Sequence, residues 1–97
     1  MIRHTVVFKL KHAAGSQAEL DFLQSARRLA AIPTVTKFEC LRQISKKNRY
    51  AFGLSMEFAC ARDYQIYHDH PDHVNFVQKR WIPEVLDFLE IDYEPIS

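Results

Sequence analysis

The sequence predicts an α+β fold in which a four-stranded antiparallel sheet carries all of its helices on one face. Residues 2–10 and 50–58 alternate between apolar and other side chains with a period of two, which is typical of strands with one buried face. Apolar side chains recur at helical spacing in residues 16–31 and again after Pro71. The resulting order of strand, helix, strand, strand, helix, strand is that of a ferredoxin-like fold.

The first and third strands are predicted to form the central pair of the sheet. Their even-numbered residues are the larger and more apolar set, so these side chains are expected to lie under the helices. Residues 35–44 alternate imperfectly and predict an edge strand or a bulged one. Residues 85–93 predict the last strand, in which Leu89, Ile91 and Tyr93 alternate with two acidic residues. The opposite face of the sheet has no cover within the chain, and a second copy is the expected cover.

The first helix is predicted from its start and its end. Ser16 and Glu19 fit a capping box, in which each side chain satisfies a backbone donor at the helix start. Pro33 is expected to end the helix near Ala31, because proline lacks the backbone donor and restricts the residue before it. His12, in the connection before the helix, is expected to be exposed and uninvolved. The predicted buried side of this helix consists of Phe22, Ala26 and Leu29.

Two helical segments are predicted between the third and fourth strands. Residues 61–69 have helix-forming character, and Pro71 breaks that helix. Because proline is well tolerated in a first turn, a new helix is expected to begin at Pro71. Pro83 is expected to end it. The predicted apolar side of this helix consists of Val74, Val77 and Trp81, with Phe76 close by.

The size and the charge of the chain exclude several classes of function. A chain of 97 residues predicts one domain over residues 1–97. With 13 basic and 12 acidic residues it lacks the basic excess that nucleic-acid binding requires. No apolar run approaches the roughly 18 residues of a membrane span, and Arg3 and His4 interrupt any signal-peptide pattern. Cys40 and Cys60 are too few for a disulfide framework, so a cytoplasmic protein with reduced thiols is expected.

Six segments along the chain match the pattern of one known protein family. They are residues 2–10, 31–35 and 56–58, the motif Tyr67-x-x-His70-Pro71-x-His73, and the pairs Trp81-x-Pro83 and Asp92-Tyr93. Each is weak alone, but together and in this order they are specific. Over nearly its whole length the chain resembles the stress-responsive dimeric α/β-barrel (Dabb) family. Thr34 stands where that family often has glycine.

The resemblance implies two ferredoxin-like subunits that pair their sheets into a barrel, with a cavity between each sheet and its helices. Functions in the family vary, and some members are stress-associated oligomers. One plant member is a polyketide cyclase that closes a linear poly-β-keto thioester product into an aromatic acid without a cofactor. Its catalytic tyrosine and histidine match Tyr67 and His73, and its first-strand histidine matches His4. Its third-strand histidine is replaced here by Phe52, which weakens the analogy at that position.

The histidines admit three roles, which the residues leave open. In the first, a buried His4 forms a hydrogen bond with His73 on the helix above, because an unpaired imidazole would cost about 1–3 kcal/mol. In the second, His73 is a general base and Tyr67 donates a hydrogen bond to a developing enolate oxygen. In the third, His68, His70 and His73 bind a metal ion. The first two of these lie on different sides of a helix, so no metal site is predicted.

An apolar pocket between the sheet and the helices is the expected ligand site. Its predicted lining includes Phe8, Phe52, Tyr64, His70 and Trp81, for which core packing is the alternative role. The expected function is to bind a small apolar or aromatic molecule, without a cofactor, in a homodimer assembled through the bare sheet face. The alternative is a cofactor-independent cyclase or lyase acting on β-keto or phenolic compounds. That enzyme would use the tyrosine–histidine pair with support from the first-strand histidine.

Overall fold

The computed structural model describes residues 1–97 and contains one four-stranded antiparallel sheet. The strands run in the spatial order β2-β3-β1-β4, and every neighbouring pair is antiparallel. This arrangement confirms the ferredoxin-like topology and its central pair, because β1 lies between β3 and β4. The second and third strands are shorter than predicted, since the turn between them takes residues from both. The strands are β1 (Ile2–Leu10), β2 (Thr36–Arg42), β3 (Phe52–Phe58) and β4 (Val85–Tyr93).

The helices begin and end close to the predicted positions. The Ser16 hydroxyl accepts a hydrogen bond from the Glu19 amide at 3.2 Å, and the Glu19 carboxylate accepts one from the Gly15 amide at 3.1 Å, so both predicted capping side chains act at the start of α1. A 3₁₀ turn carries that helix on to Ala31. Pro83 does not end the last helix, which continues to Glu84, because proline is compatible with the first turn of the short closing segment. The segments are α1 (Gln17–Arg27), α2 (Ala61–Asp69), α3 (Pro71–Phe76), a π-helical turn (Val77–Trp81) and α4 (Ile82–Glu84).

The hydrophobic core lies between the inner face of the sheet and the helices. The even-numbered side chains of β1 and β3 are buried there, as predicted. Val74 was expected on the apolar side of α3 but is 45% exposed. The larger ring of Phe76 takes that side, with its centroid 5.5 Å from the ring of Phe22 on α1. The helical contribution to the core consists of Phe22, Ala26, Leu29, Tyr67 and Phe76.

The outer face of the sheet is uncovered. The molecule measures 38 × 32 × 18 Å, and its smallest dimension accommodates one sheet and one helical layer. β4 contributes a row of three apolar side chains to this outer face. Leu89, Ile91 and Tyr93 stand opposite Val7, Thr5 and Arg3 of β1, and all three are exposed. None of the helices combines the length and the apolar character needed to cross a bilayer.

His12 takes part in a polar network that links the connection before α1, α1 itself and the last helical segments, which corrects the expectation that it is uninvolved. Its Nε2 lies 2.7 Å from Oε1 of Glu84, and its side chain is only 25% exposed. Arg80 donates to the same carboxylate and, through Nη1, to the Ser25 hydroxyl at 3.1 Å. Burial acts to raise the pKa of Glu84, but the bonds from Arg80 and His12 outweigh it and hold this pKa below its usual value.

Replacing Glu84 by glutamine is expected to lower the free energy of unfolding by about 1–2 kcal/mol at neutral pH, because Arg80 and His12 lose a charged partner. The folded-state pKa of Glu84 lies below the unfolded one. The wild-type carboxylate therefore stabilises the fold above the unfolded value of about 4.3, and that contribution disappears as the pH falls through the folded value. Urea unfolding at neutral pH and near pH 4 measures both effects. Glu94→Gln, at an exposed position, is the control. If the wild type and Glu84→Gln differ in free energy of unfolding by the same amount at both pH values, the ion-pair explanation is contradicted.

Candidate functional site

A partly open cavity of about 340 Å³ lies between the inner face of the sheet and the helical layer. Ten of its fourteen lining residues are hydrophobic, and its size is at the lower end of the range for small-molecule sites. Its polar lining residues are His4, His68, His73 and Glu90. The apolar lining comes from the strands through Val6, Leu54, Met56 and Phe88, and from the helical layer through Leu29, Tyr67, Phe76, Val77, Trp81 and Ile82.

Of the eight residues predicted for the catalytic set and the ligand pocket, four line this cavity: His4, Tyr67, His73 and Trp81. The tryptophan reaches it through the π-helical turn, which the sequence pattern did not predict. One extra residue in that turn changes the direction of the side chains that follow, and such turns occur frequently at functional sites. The indole packs at 5.1 Å from the ring of Phe8 and at 5.5 Å from that of Phe88, and so closes one end of the cavity.

The other four predicted pocket residues do not line the cavity. Phe8 and Phe52 are buried in the core with their ring centroids 5.8 Å apart, because the helices pack directly over that end of the central strands. Tyr64 lies beside His4 and stacks on Phe58 at 4.9 Å. His70 caps α3, where its Nδ1 accepts a hydrogen bond from the Asp72 amide at 3.1 Å. These positions correct the predicted lining.

His4 is held by the neighbouring strand and not by His73, so the predicted hydrogen bond between the two histidines is wrong. Nδ1 of His4 lies 2.6 Å from Oδ1 of Asp92 and 2.8 Å from the Tyr64 hydroxyl. His4 and Asp92 are direct cross-strand partners on β1 and β4. Side chains in such pairs are close enough to meet without any helix moving, which is why the carboxylate binds the imidazole. Asp92, which binds His4, and Glu90, which lines the cavity, are the acidic site residues that the sequence reasoning missed.

Tyr64 completes this hydrogen-bonded cluster. Its hydroxyl lies 2.8 Å from Oδ2 of Asp92 and 3.4 Å from Oε1 of Glu90. Burial and these acidic groups raise the pKa of Tyr64, so the phenol stays protonated and donates to Asp92. The carboxylate of Asp92 then accepts one hydrogen bond from the Tyr64 hydroxyl and one from the Nδ1–H group of His4. The His4 Nε2 atom is therefore the nitrogen that remains for a ligand.

The proline break between α2 and α3 orients His73. In a continuous helix, the amide of Asp72 would donate to the carbonyl of His68, but here it donates to His70. The freed carbonyl accepts a hydrogen bond from Nδ1 of His73 at 2.9 Å. This bond places the proton of a neutral imidazole on Nδ1 and leaves the lone pair on Nε2. Burial lowers the pKa of His73, so the neutral form predominates at pH 7.

Tyr67 lies between the two imidazoles. Its ring centroid is 4.4 Å from that of His73 and 6.2 Å from that of His4, and the residue is only 3% exposed. The hydrogen bonds around it are made by Tyr64, His4 and His73, and they leave the Tyr67 hydroxyl without a protein partner. Burial, with the charge of Glu90, raises the pKa of Tyr67. The phenol is thus a protonated hydrogen-bond donor that has no acceptor within the protein.

The donor atoms of His68, His70 and His73 do not converge on a metal position. Nδ1 of His68 faces Asp69, that of His70 caps α3, and that of His73 binds a carbonyl. The donors that do converge are those of His4, Glu90 and Asp92, which lie within 4.8 Å of one another. The Tyr64 hydroxyl is within hydrogen-bonding distance of all three, so a proton donor already occupies the centre of that group.

Comparison with known proteins assigns the family. The model of the stress-responsive A/B barrel domain, Dabb, matches residues 2–95. The chain belongs to this family. A Dabb family protein of Mesorhizobium loti with a ferredoxin-like fold is 61% identical, with a TM-score of 0.97 over 99% of this chain and 97% of that one. The family expected from the sequence motifs is therefore confirmed.

More distant solved structures share the fold of this Dabb protein. A dimeric ferredoxin-like protein of unknown function from Bacteroides fragilis is 24% identical, with a TM-score of 0.74 over 97% of this chain and 95% of that one. The hydroxynitrile lyase of Passiflora edulis is 13% identical, with a TM-score of 0.85 over 99% and 94% of the two chains. No curated protein matches the sequence.

Proposed function

We propose that this Dabb protein binds a small apolar or aromatic molecule in the cavity between its sheet and its helices. The observation that carries the proposal is the cavity itself, with about 340 Å³ of space and a predominantly hydrophobic lining. Apolar binding sites typically place a few polar groups among such a lining to orient the ligand. Here those groups are the unpartnered hydroxyl of Tyr67 and the Nε2 atoms of His4 and His73. A ligand with one acceptor and one donor group on an apolar body matches this set.

A phenylalanine in place of Val77 is expected to weaken ligand binding at least about tenfold, because the added ring occupies part of the cavity. Val77 lines the cavity from the π-helical turn. The measurement is a titration with the neutral fluorescent probe N-phenyl-1-naphthylamine, followed by energy transfer from Trp81, the single tryptophan of the chain.

Val74→Phe is the matched control for that titration. Val74 lies on the neighbouring helical segment, is exposed and does not line the cavity. The same ring added there is expected to leave the dissociation constant unchanged. Failure of the probe to bind the wild-type protein, or equal affinity for the wild-type and Val77→Phe proteins, would contradict the proposed site.

We propose that the protein is a homodimer assembled through the outer face of its sheet. The exposed apolar residues Leu89, Ile91 and Tyr93 form a row on that face, and Leu41 is exposed on the opposite edge strand. A contiguous apolar surface of this kind is typical of a protein interface. The dimeric B. fragilis protein has the same fold. A second copy covering this face is the arrangement that the barrel name of the family describes.

We also propose a cytoplasmic location. Cys60 is exposed, Cys40 is half-buried, and both thiols are free. Exposed free thiols persist where the compartment is reducing, and they oxidise or pair outside the cell.

A second candidate function is cofactor-independent lyase or cyclase chemistry in the same cavity, and the Tyr67–His73 pair favours it. Nε2 of a neutral His73 is a proton acceptor, and Tyr67 is a proton-bearing donor in contact with it. Such a pair suits removal of a proton from a substrate while the phenol stabilises the developing negative charge on oxygen. The hydroxynitrile lyase of P. edulis has the same fold. The test of this candidate is His73→Gln, which is expected to abolish base catalysis.

A further inference from the structure

Glu90 is the one acidic residue in the lining of the apolar cavity, and no lysine or arginine accompanies it there. It follows Phe88 by two positions on the inner face of β4, and its cross-strand partner Val6 is buried. A charge at an inner-facing position costs free energy unless a partner offsets it. The Glu90 side chain is 51% exposed, so its carboxylate stands at the mouth of the cavity and stays hydrated and charged.

Two neighbouring carboxylates of β4 differ in their protein partners. Asp92 holds Nδ1 of His4 at 2.6 Å and the Tyr64 hydroxyl at 2.8 Å. Oε1 of Glu90 lies farther from the same two atoms, at 3.7 and 3.4 Å, because Asp92 already engages them. The carboxylates that form ion pairs with lysine or arginine are those of Glu57, Glu84 and Asp87. Glu90 is therefore a charged group of the cavity without a lysine or arginine partner.

The remaining wall of the cavity suits a positive charge better than a negative one. Its four aromatic side chains are Tyr67, Phe76, Trp81 and Phe88. The face of an aromatic ring carries negative charge density and attracts an ammonium group. Burial and then the charge of Glu90 raise the pKa of Tyr67, so the field of this carboxylate reaches the inner wall. A carboxylate ligand would find no cationic side chain in the lining and would be repelled by Glu90.

We propose that Glu90 selects the ligand of the cavity by its charge, and that it favours a protonated amine on an apolar or aromatic body over a carboxylic acid. The ammonium group donates hydrogen bonds to the Glu90 carboxylate at the mouth, and the body lies against Trp81 and Phe88. The Tyr67 hydroxyl remains available to an oxygen atom of the same ligand. This inference rests on the proposed binding function and adds the charge of the ligand to it.

The test uses three competitors that share a naphthyl body and differ in charge at pH 7. They are 1-(aminomethyl)naphthalene, which is protonated, the uncharged 1-naphthalenemethanol, and 1-naphthoate. Each is used to displace N-phenyl-1-naphthylamine from the wild-type protein, from Glu90→Gln and from Glu94→Gln. The last variant removes the same charge at an exposed position outside the cavity. The probe is excited directly, because the competitors absorb in the same range as Trp81. Glutamine keeps the size of the Glu90 side chain, so the cavity is expected to keep its shape.

The wild-type protein is expected to bind the amine at least about tenfold more tightly than the carboxylate, because Glu90 attracts one charge and repels the other. The alcohol is expected to lie between them. In Glu90→Gln the ratio of amine to carboxylate affinity is expected to fall to about threefold or less, since only the more distant charge of Asp92 remains. Glu94→Gln is expected to keep the wild-type ratio.

The ratio cancels any change in the affinity of the cavity for the naphthyl body, which both competitors share. Equal affinity of the wild-type protein for the amine and the carboxylate would overturn the inference while leaving the apolar site intact. The same holds if Glu90→Gln keeps the wild-type ratio. Failure of the neutral probe to bind the wild type, or binding that survives Val77→Phe, would instead remove the proposed function, and this inference with it.

Discussion

Ile91→Lys is expected to give a folded monomer at micromolar concentrations, at which the wild-type protein is expected to be the proposed dimer. Ile91 lies in the middle of the exposed row on β4, between Leu89 and Tyr93, and its side chain points away from the core. A two-fold interface buries each residue twice, so one substitution places two lysines against apolar surface. The dimer dissociation constant is expected to rise at least about 100-fold, because each unpaired charge loses its hydration.

Sedimentation velocity over a concentration series measures this effect, and circular dichroism shows whether the monomer is folded. Ile44→Lys is the matched control, because Ile44 is 87% exposed in the loop after β2 and lies off the outer face. A wild-type protein that sediments as a monomer at micromolar concentration would exclude dimerisation through this face. An Ile91→Lys protein that remains dimeric would show that another surface holds the two copies together.

The sequence specifies the elements of this fold more fully than it specifies their contacts. Residues 2–10, 61–69 and 85–93 match the strands and helix that the periodicity predicts. Periodicity shows which side chains share a face, but not which partner on the next strand they meet. That register decides that His4 lies beside Asp92. The alternation of acidic and apolar residues in the last strand indicated that its acidic side chains share one face. Only the pairing of β4 with β1 shows that Asp92 on that face meets His4.

The lining of the cavity was harder to predict than its existence. Aromatic residues under the helices either fill the core or border a space, and residue type alone does not distinguish the two. Phe8 and Phe52 fill the core, whereas Trp81 borders the space because the π-helical turn redirects it. The role of His70 also follows from local backbone geometry, since a residue before Pro71 becomes the cap of the next helix.

His73→Gln is expected to abolish any proton-transfer activity of the cavity, with a loss of about 100-fold or more in rate. The assay uses a small benzyl ketone, 1-phenylpropan-2-one, and NMR in deuterated buffer measures the exchange of the proton next to its carbonyl. The C–H proton passes to Nε2 of His73, and its electron pair forms the enolate, whose oxygen accepts the hydrogen bond from Tyr67. The proton on Nε2 exchanges with solvent, and the imidazolium then returns a deuteron to the enolate carbon. The exchange therefore needs no oxidant and no cofactor.

The matched control is His68→Gln, which removes an exposed imidazole of the cavity rim but keeps the backbone carbonyl that orients His73. Its exchange rate is expected to stay close to that of the wild type. Tyr67→Phe is expected to lower the rate at least about tenfold while keeping the packing, because one charge-stabilising donor is lost. A wild-type rate no higher than that of buffer would contradict the enzyme candidate and leave the binding function.

The pH profile separates base catalysis by His73 from a purely structural role. Burial lowers the pKa of His73, so the active neutral form persists below the usual histidine value of about 6.5. The rate is therefore expected to rise with pH at a midpoint below that value and to level off by neutrality. The pKa of Tyr67 is raised, so no loss of its proton is expected to reduce the rate on the alkaline side below about pH 10. If His73 only packed against Tyr67, the glutamine variant would lower stability without removing the acidic limb of this profile.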